Sequence, residues 1–184
     1  MMDKAIAKRK LLILDLDETL IFATEEPLVI REDFTVGPYF VYRRPHLKRF
    51  LEFCLSNFEV AVWSSSTEDY AIELAKRLFP SLTSLAFLWA RRRCTRRCDF
   101  ENGEWYWVKD LKKVRRKGYD LEQVIVVDDS PQKLERHYGN LIRVREFNGA
   151  QDDDELLLLE PYLKTLAGEE KIRSLEKRKW RTQG

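Results

Sequence analysis

An α/β fold of three layers, a mostly parallel sheet covered by helices on both faces, is what this sequence predicts. Near-continuous apolar runs at residues 11–14, 58–63, 124–127 and 141–144, with a weaker one at 85–89, alternate with segments of helical periodicity. Strands alternating with helices fold as right-handed βαβ units, hence as a parallel sheet. Chemistry-bearing residues follow those runs: Asp15 and Asp17 after the first, Ser64 after the second, and Asp128 and Asp129 after the next long one. Lys109 follows the aromatic run 105–108, so all of these fall at one rim, where open α/β sheets bind ligands.

Each element has its own local reason. Residues 1–9 are short, basic and aperiodic and read as a frayed terminus; the domain is expected over 10–167. Between about 21 and 42, the apolar runs 28–30 and 39–42 flank Gly37-Pro38 and predict a β-hairpin flap overhanging the first strand's end. Pro45 opens a helix whose inward face is Leu47, Phe50, Leu51, Cys54 and Leu55. Ser64 to Thr67, followed by Glu68 and Asp69, predicts the start of a second helix running to Leu78. A small β insertion is expected over about 85–108, containing the arginine-rich stretch 91–98, and a helix from Lys109-Asp110 to Arg116 that Gly118 can end. Ser130-Pro131 predicts a cap and helix start after the second acidic pair. Asp152 to Asp154 precede a helix over 156–166, and 168–184 is expected as a tail containing a polar helix at 172–180.

The bulk numbers bound the function. The chain has 184 residues and 22.0 kDa, enough for one domain, and its 44% hydrophobic and 35% charged residues describe a globular chain. A net charge of +2 argues against a dedicated nucleic-acid coat. With three cysteines, no cleavable signal and no apolar run able to cross a bilayer, a monomer in a reducing intracellular compartment, cytoplasmic or nuclear, is expected, without a membrane partner. Cys94 and Cys98 lack the second ligand pair of a zinc site, Cys54 reads as core, and His46 and His137 read as structural, His137 in a surface helix.

Four carboxylates with one lysine leave an excess of negative charge that a hard, oxygen-preferring cation such as Mg²⁺ relieves. Magnesium commonly bridges to phosphate, which points to a phosphoryl substrate. Asp15-Leu16-Asp17-Glu18-Thr19-Leu20 resembles the DxDx(T/V) signature of the haloacid dehalogenase (HAD) superfamily, whose Rossmann-like fold the layer reading matches. Arg44-Pro45-His46, Trp63-Ser64-Ser65-Ser66, Val108-Lys109-Asp110-Leu111 and Val127-Asp128-Asp129-Ser130-Pro131 are similar, more narrowly, to the small C-terminal-domain phosphatases, also described as NLI-interacting-factor-like. Those enzymes remove phosphate from serine in the RNA polymerase II tail and in other proteins.

The resemblance implies that Asp15 is the nucleophile that becomes a phosphoaspartate and Asp17 the general acid and base. It implies that Mg²⁺ is held by Asp15, the Asp17 carbonyl and Asp129, with Asp128 in support. Ser64 and Lys109 would stabilise the phosphoryl group and Thr19, Ser65 and Arg91 bind substrate, a phosphorylated protein or peptide. Two departures stand out: the stretch from Cys94 to Lys109 is longer and richer in arginine, and Asp129 stands where the family often has asparagine. Alternatives are a nucleic-acid-end or small-molecule phosphatase of the same chemistry, and a catalytically idle binding module like the mitochondrial import relatives.

Overall fold

In chain order, β1 (Leu11–Leu14) is followed by β2 (Ile21–Thr24), β3 (Phe34–Val36) and β4 (Tyr39–Arg43). Then α1 (Leu47–Asn57) leads to β5 (Glu59–Trp63) and α2 (Glu68–Leu78) to a short β6 (Leu88–Trp89). Next, β7 (Thr95–Cys98), β8 (Trp105–Val108) and α3 (Lys112–Arg116) precede β9 (Val124–Asp128), β10 (Leu141–Arg143) and α4 (Glu155–Ala167). The computed structural model describes residues 9–99 and 101–182, so the expected terminus 1–9 lies, Arg9 apart, outside the described residues.

The main sheet has five strands in the order β10-β9-β1-β5-β6, every pair parallel, with β1 at its centre. Period-two geometry splits β1 between two cores. Leu12 and Leu14 join the cluster of α1, α2 and α4, whereas Leu11 and Ile13 join that of α3 and the aromatic stack at the other edge. In that stack Trp89 lies 4.2 Å from Phe87 and 4.8 Å, edge-on, from Trp63, large rings filling a face that only a short helix covers. From β1 the chain runs outward through β5 and β6, then returns to the other side of β1 as β9. The switch point therefore lies between β1 and β9, and the acidic pairs sit at their carboxyl ends.

Local structure departs from expectation in five places. The flap is a three-stranded antiparallel sheet, β2-β4-β3, in which Gly37 (φ 55°) turns β3 into β4. Residues 28–30 form no strand: Leu28 N–H donates to the Tyr42 hydroxyl (2.8 Å), and Val29 is fully exposed. The expected strand 85–89 shrinks to Leu88–Trp89, the two residues in register with Val62 and Trp63. The Ser130-Pro131 start yields a 3-10 turn, Pro131–Leu134, since the Ser130 hydroxyl is spent on Asp129 Oδ2 (2.6 Å) and caps nothing. The polar helix at 172–180 does not form. Ile172 N–H bonds Glu122 O instead of a preceding turn, and the buried Lys177 ammonium caps the Ile172 and Leu175 carbonyls. The β7–β8 pair is the expected insertion, and α3 ends near Gly118 at φ 98°.

Candidate active site

Asp15 continues β1, its N–H donating to Val127 O at 3.0 Å, and is 1% exposed. Oδ1 accepts from Leu16 N–H (2.9 Å) and lies 3.0 Å from Lys109 Nζ; Oδ2 accepts from Lys133 Nζ at 2.7 Å. The β7–β8 insertion delivers Lys109, whose N–H bonds Lys133 O at 2.6 Å, so the two lysines are set side by side. Fully buried, Lys109 also donates to Asp128 Oδ2.

The chain then turns sharply. Glu18 takes a left-handed φ of 57°, rare for a residue with a Cβ, and Leu20 N–H closes on Leu16 O at 2.8 Å. Asp17 consequently faces the β5–α2 loop rather than the lysines: Oδ2 accepts from the Ser66 hydroxyl (2.6 Å) and Oδ1 from the Tyr70 hydroxyl (2.8 Å). Ser64, fully buried, lies beneath, its Oγ accepting from Ser66 N–H (3.0 Å) and 3.4 Å from Asp17 Oδ2. Thr19 is also fully buried, and its hydroxyl both donates to Asp129 Oδ1 (3.1 Å) and accepts from Asp129 N–H (3.2 Å). Thr19 therefore orients Asp129 and is not on the open wall where substrate binding would place it.

These partners separate the two acids chemically. Burial pushes the Asp15 carboxyl up, but Lys109 and Lys133 outweigh it and hold the group down at about 2, ionised. Asp17 is raised, by burial first and by the Asp15 charge, with Ser66 and Tyr70 opposing. Asp128 is likewise raised by burial and by the neighbouring Asp15 charge. Glu18, beside them, is pushed up to about 7 by burial and by Asp17 and Asp129.

Asp15, Asp128 and Asp129 bring carboxylate oxygens within 4.8 Å of one another. Hard oxygen donors in a sheltered cluster suit a small divalent cation such as Mg²⁺. The Asp17 side chain, bonded to Ser66 and Tyr70, is not part of that cluster.

A pocket of about 330 Å³ opens beside Asp17 and Glu18, walled also by Ser65, Ser66, Tyr70, Arg91 and Lys133, with Tyr39 of the flap. Arg91 is locked to this wall by a bond from Nε to Ser65 O (2.8 Å) and lies 5.7 Å over Trp107. The other cluster arginines turn elsewhere. Arg92 and Arg93 line a separate cavity of about 470 Å³ that holds no acidic pair. Arg96 stacks on Trp105 at 4.1 Å, and Arg97 faces Glu135 at 4.0 Å. Cys94 is buried with Sγ against Ser64 O, and His137, expected on a surface helix, is buried in a loop with Nε2 3.1 Å from Asp110. Exposed His46 holds a left-handed φ of 65° ahead of α1.

Sequence reasoning missed Ser66, Tyr70 and Lys133. Ser66 and Tyr70 are two and six residues past Ser64, one helical turn apart at the head of α2, a spacing that puts both over the same rim. Lys133, four residues past Asp129 in a turn that keeps the chain at the rim, also left a readable trace.

A family model described as NLI interacting factor-like phosphatase matches residues 10–173. The chain is 31% identical to CTD nuclear envelope phosphatase 1B of Danio rerio, covering 91% of this chain and 71% of that protein. It is 32% identical to the putative CTD phosphatase-like protein 355R of Invertebrate iridescent virus 3, covering 86% and 97%. Its fold matches a solved structure of Fcp1, an essential RNA polymerase II CTD phosphatase, with a TM-score of 0.61 at 24% identity over 86% of this chain, which spans 48% of that one. No described helix is long and apolar enough to cross a membrane. An ordered acidic site on a HAD-like sheet and these matches agree: the chain belongs to the NLI interacting factor-like phosphatase family.

Proposed function

We propose that this protein is a magnesium-dependent phosphoserine/phosphothreonine protein phosphatase working through a phosphoaspartate on Asp15. One observation carries the reading: two acids two residues apart have opposite surroundings, Asp15 against lysines and Asp17 against hydroxyls. Ionised Asp15 attacks phosphorus as the bond to the serine or threonine oxygen breaks, and Asp17, protonated, gives that oxygen its proton. Now a base, Asp17 takes a proton from water, which attacks the phosphoaspartate and releases phosphate. Lys109 stabilises charge on Asp15 and on the transferring oxygens. Asp15, Asp129 and the Asp17 carbonyl would hold Mg²⁺, with Asp128 beside them. When bound, the ion neutralises phosphoryl charge and lets an anionic nucleophile approach an anionic ester.

The names of the relatives support phosphoprotein as substrate, and the presence of Arg91, Ser65 and Ser66 on the pocket wall supports binding of a phosphoryl group next to a peptide. A monomer acting in the cytoplasm or nucleus fits this reading. Hydrolysis of an aryl phosphate is expected to require Mg²⁺ and to disappear in Asp15→Asn; activity surviving that substitution removes Asp15 as nucleophile. Phosphopeptides run against 3′- and 5′-phosphorylated oligonucleotides decide the substrate, and preference for the oligonucleotides, with steep salt dependence, would put nucleic-acid ends first.

A further inference from the structure

Lys133 has no task in those steps, yet it stands at their centre. The 3-10 turn Pro131–Leu134 carries it, its N–H bonded to Ser130 O (3.1 Å) and its carbonyl to Lys109 N–H (2.6 Å). From this fixed base Nζ reaches Asp15 Oδ2 at 2.7 Å, Asp128 Oδ1 at 3.6 Å and Asp129 Oδ1 at 3.7 Å. These are the same three carboxylates that gather into the cation cluster. Lys109 already contacts the other oxygen of Asp15, so each oxygen of the nucleophile faces an ammonium group. Asp15 must nevertheless present an oxygen to phosphorus. Of the two lysines, Lys109 is fully buried and tied to Asp128, whereas Lys133 is 16% exposed on the pocket wall with a flexible stem. Lys133 is therefore the group able to withdraw.

We propose that Lys133 is a tethered cation that competes with the metal for Asp15, Asp128 and Asp129, weakening metal binding and covering Asp15 Oδ2 until a divalent ion displaces it. The inference rests on the metal-dependent reading above. Lys109 reaches only Asp15 and Asp128, whereas Lys133 reaches all three carboxylates, so a divalent ion seated among them repels Lys133 most directly and Lys133 leaves as the ion enters. The arrangement couples metal occupancy to exposure of the nucleophile.

Calorimetric titration of the whole chain with MgCl₂ tests it, using wild type, Lys133→Met, Lys133→Gln and Asp129→Ala. Both Lys133 variants are expected to bind Mg²⁺ about tenfold more tightly than wild type. Without added magnesium they are expected to melt lower, with a larger rise in Tm on its addition. Should either fold only with magnesium, the melting curves report the same competition. Magnesium affinity unchanged or weaker in both variants overturns the proposal, and the metal-dependent reading survives that result if wild type titrates and Asp129→Ala does not. If neither wild type nor the Lys133 variants take up Mg²⁺, the metal-dependent reading falls and the proposal with it.

Discussion

Tyr70 illustrates how single side chains set the chemistry. Its hydroxyl donates to Asp17 Oδ1 at 2.8 Å, a bond that favours the carboxylate and so opposes the burial that raises Asp17. The Tyr70 ring packs edge-on against Tyr39 of the flap at 5.5 Å, which fixes the hydroxyl over the acid. Tyr70→Phe keeps the ring and removes the bond. Asp17 should then hold its proton to higher pH, which in the proposed mechanism leaves proton donation to the leaving oxygen intact and starves the later step, in which Asp17 would serve as base. The expected result is a kcat about tenfold lower, a burst of released alcohol that persists, and an acidic limb of the kcat profile displaced upward. A pH profile identical to wild type would show that Tyr70 acts through packing alone.

At the scale of elements, Arg44 joins the flap to the far side of the domain. It follows β4 and is fully buried, donating to Asp153 Oδ1 (2.7 Å) and Oδ2 (2.8 Å), to Thr19 O (2.9 Å) and to Arg145 O (2.9 Å). This one guanidinium therefore braces the turn carrying Asp17 and Thr19 against the approach to α4. Arg44→Met should cost about 3–5 kcal/mol, because it leaves two carbonyls without their donor and Asp153 with only the Glu155 N–H. Burial pushes the Asp153 carboxyl up, but Arg44 outweighs it and the net shift is down. A depressed carboxyl contributes stability above its unfolded pKa and loses it as pH falls through the folded one. The gap between wild type and Arg44→Met in urea unfolding should thus narrow below about pH 4 and be widest near neutrality; a gap independent of pH would mean that the ion pair does not contribute.

The elements also show what was legible in the sequence. β1 and Asp15 were readable because an apolar run and the charge that ends it are local features, and β5 and β9 followed the same rule. Residues 28–30 misled because an apolar triplet has the composition of a strand, while pairing was decided by Ile21–Thr24 and Phe34–Val36 on either side of β4. Thr19 was readable as part of the motif but not as the partner of Asp129, 110 positions away. Lys133 left only its spacing from Asp129 to be read, since its contact with Asp15 spans 118 positions.

For the whole molecule, the segment after α4 acts as a strap. Helix-forming, charged residues at 172–180 suggested a surface helix, but three anchors impose an irregular path. Ile172 is fully buried, and its N–H meets Glu122 O in the 3-10 turn Leu121–Gln123. Trp180 is 1% exposed, its ring 6.0 Å from Tyr162 of α4 and its Nε1–H donating to Arg143 O of the edge strand β10 (2.8 Å). Arg181 pairs with the fully buried Glu155 at the start of α4. The strap therefore closes the edge of the sheet and seals the core between β10 and α4, remote from the pocket. Trp180→Ala should destabilise the domain by about 3–5 kcal/mol, since a buried ring and a hydrogen bond to a sheet carbonyl are lost together. None of the residues walling the pocket belongs to the strap, so kcat measured well below the variant's Tm should stay within about twofold of wild type. Urea unfolding and steady-state kinetics on the same preparation separate the two effects: a stability change under about 0.5 kcal/mol would show that the strap is a surface tail, and a collapse of kcat without loss of stability would place it in the catalytic unit.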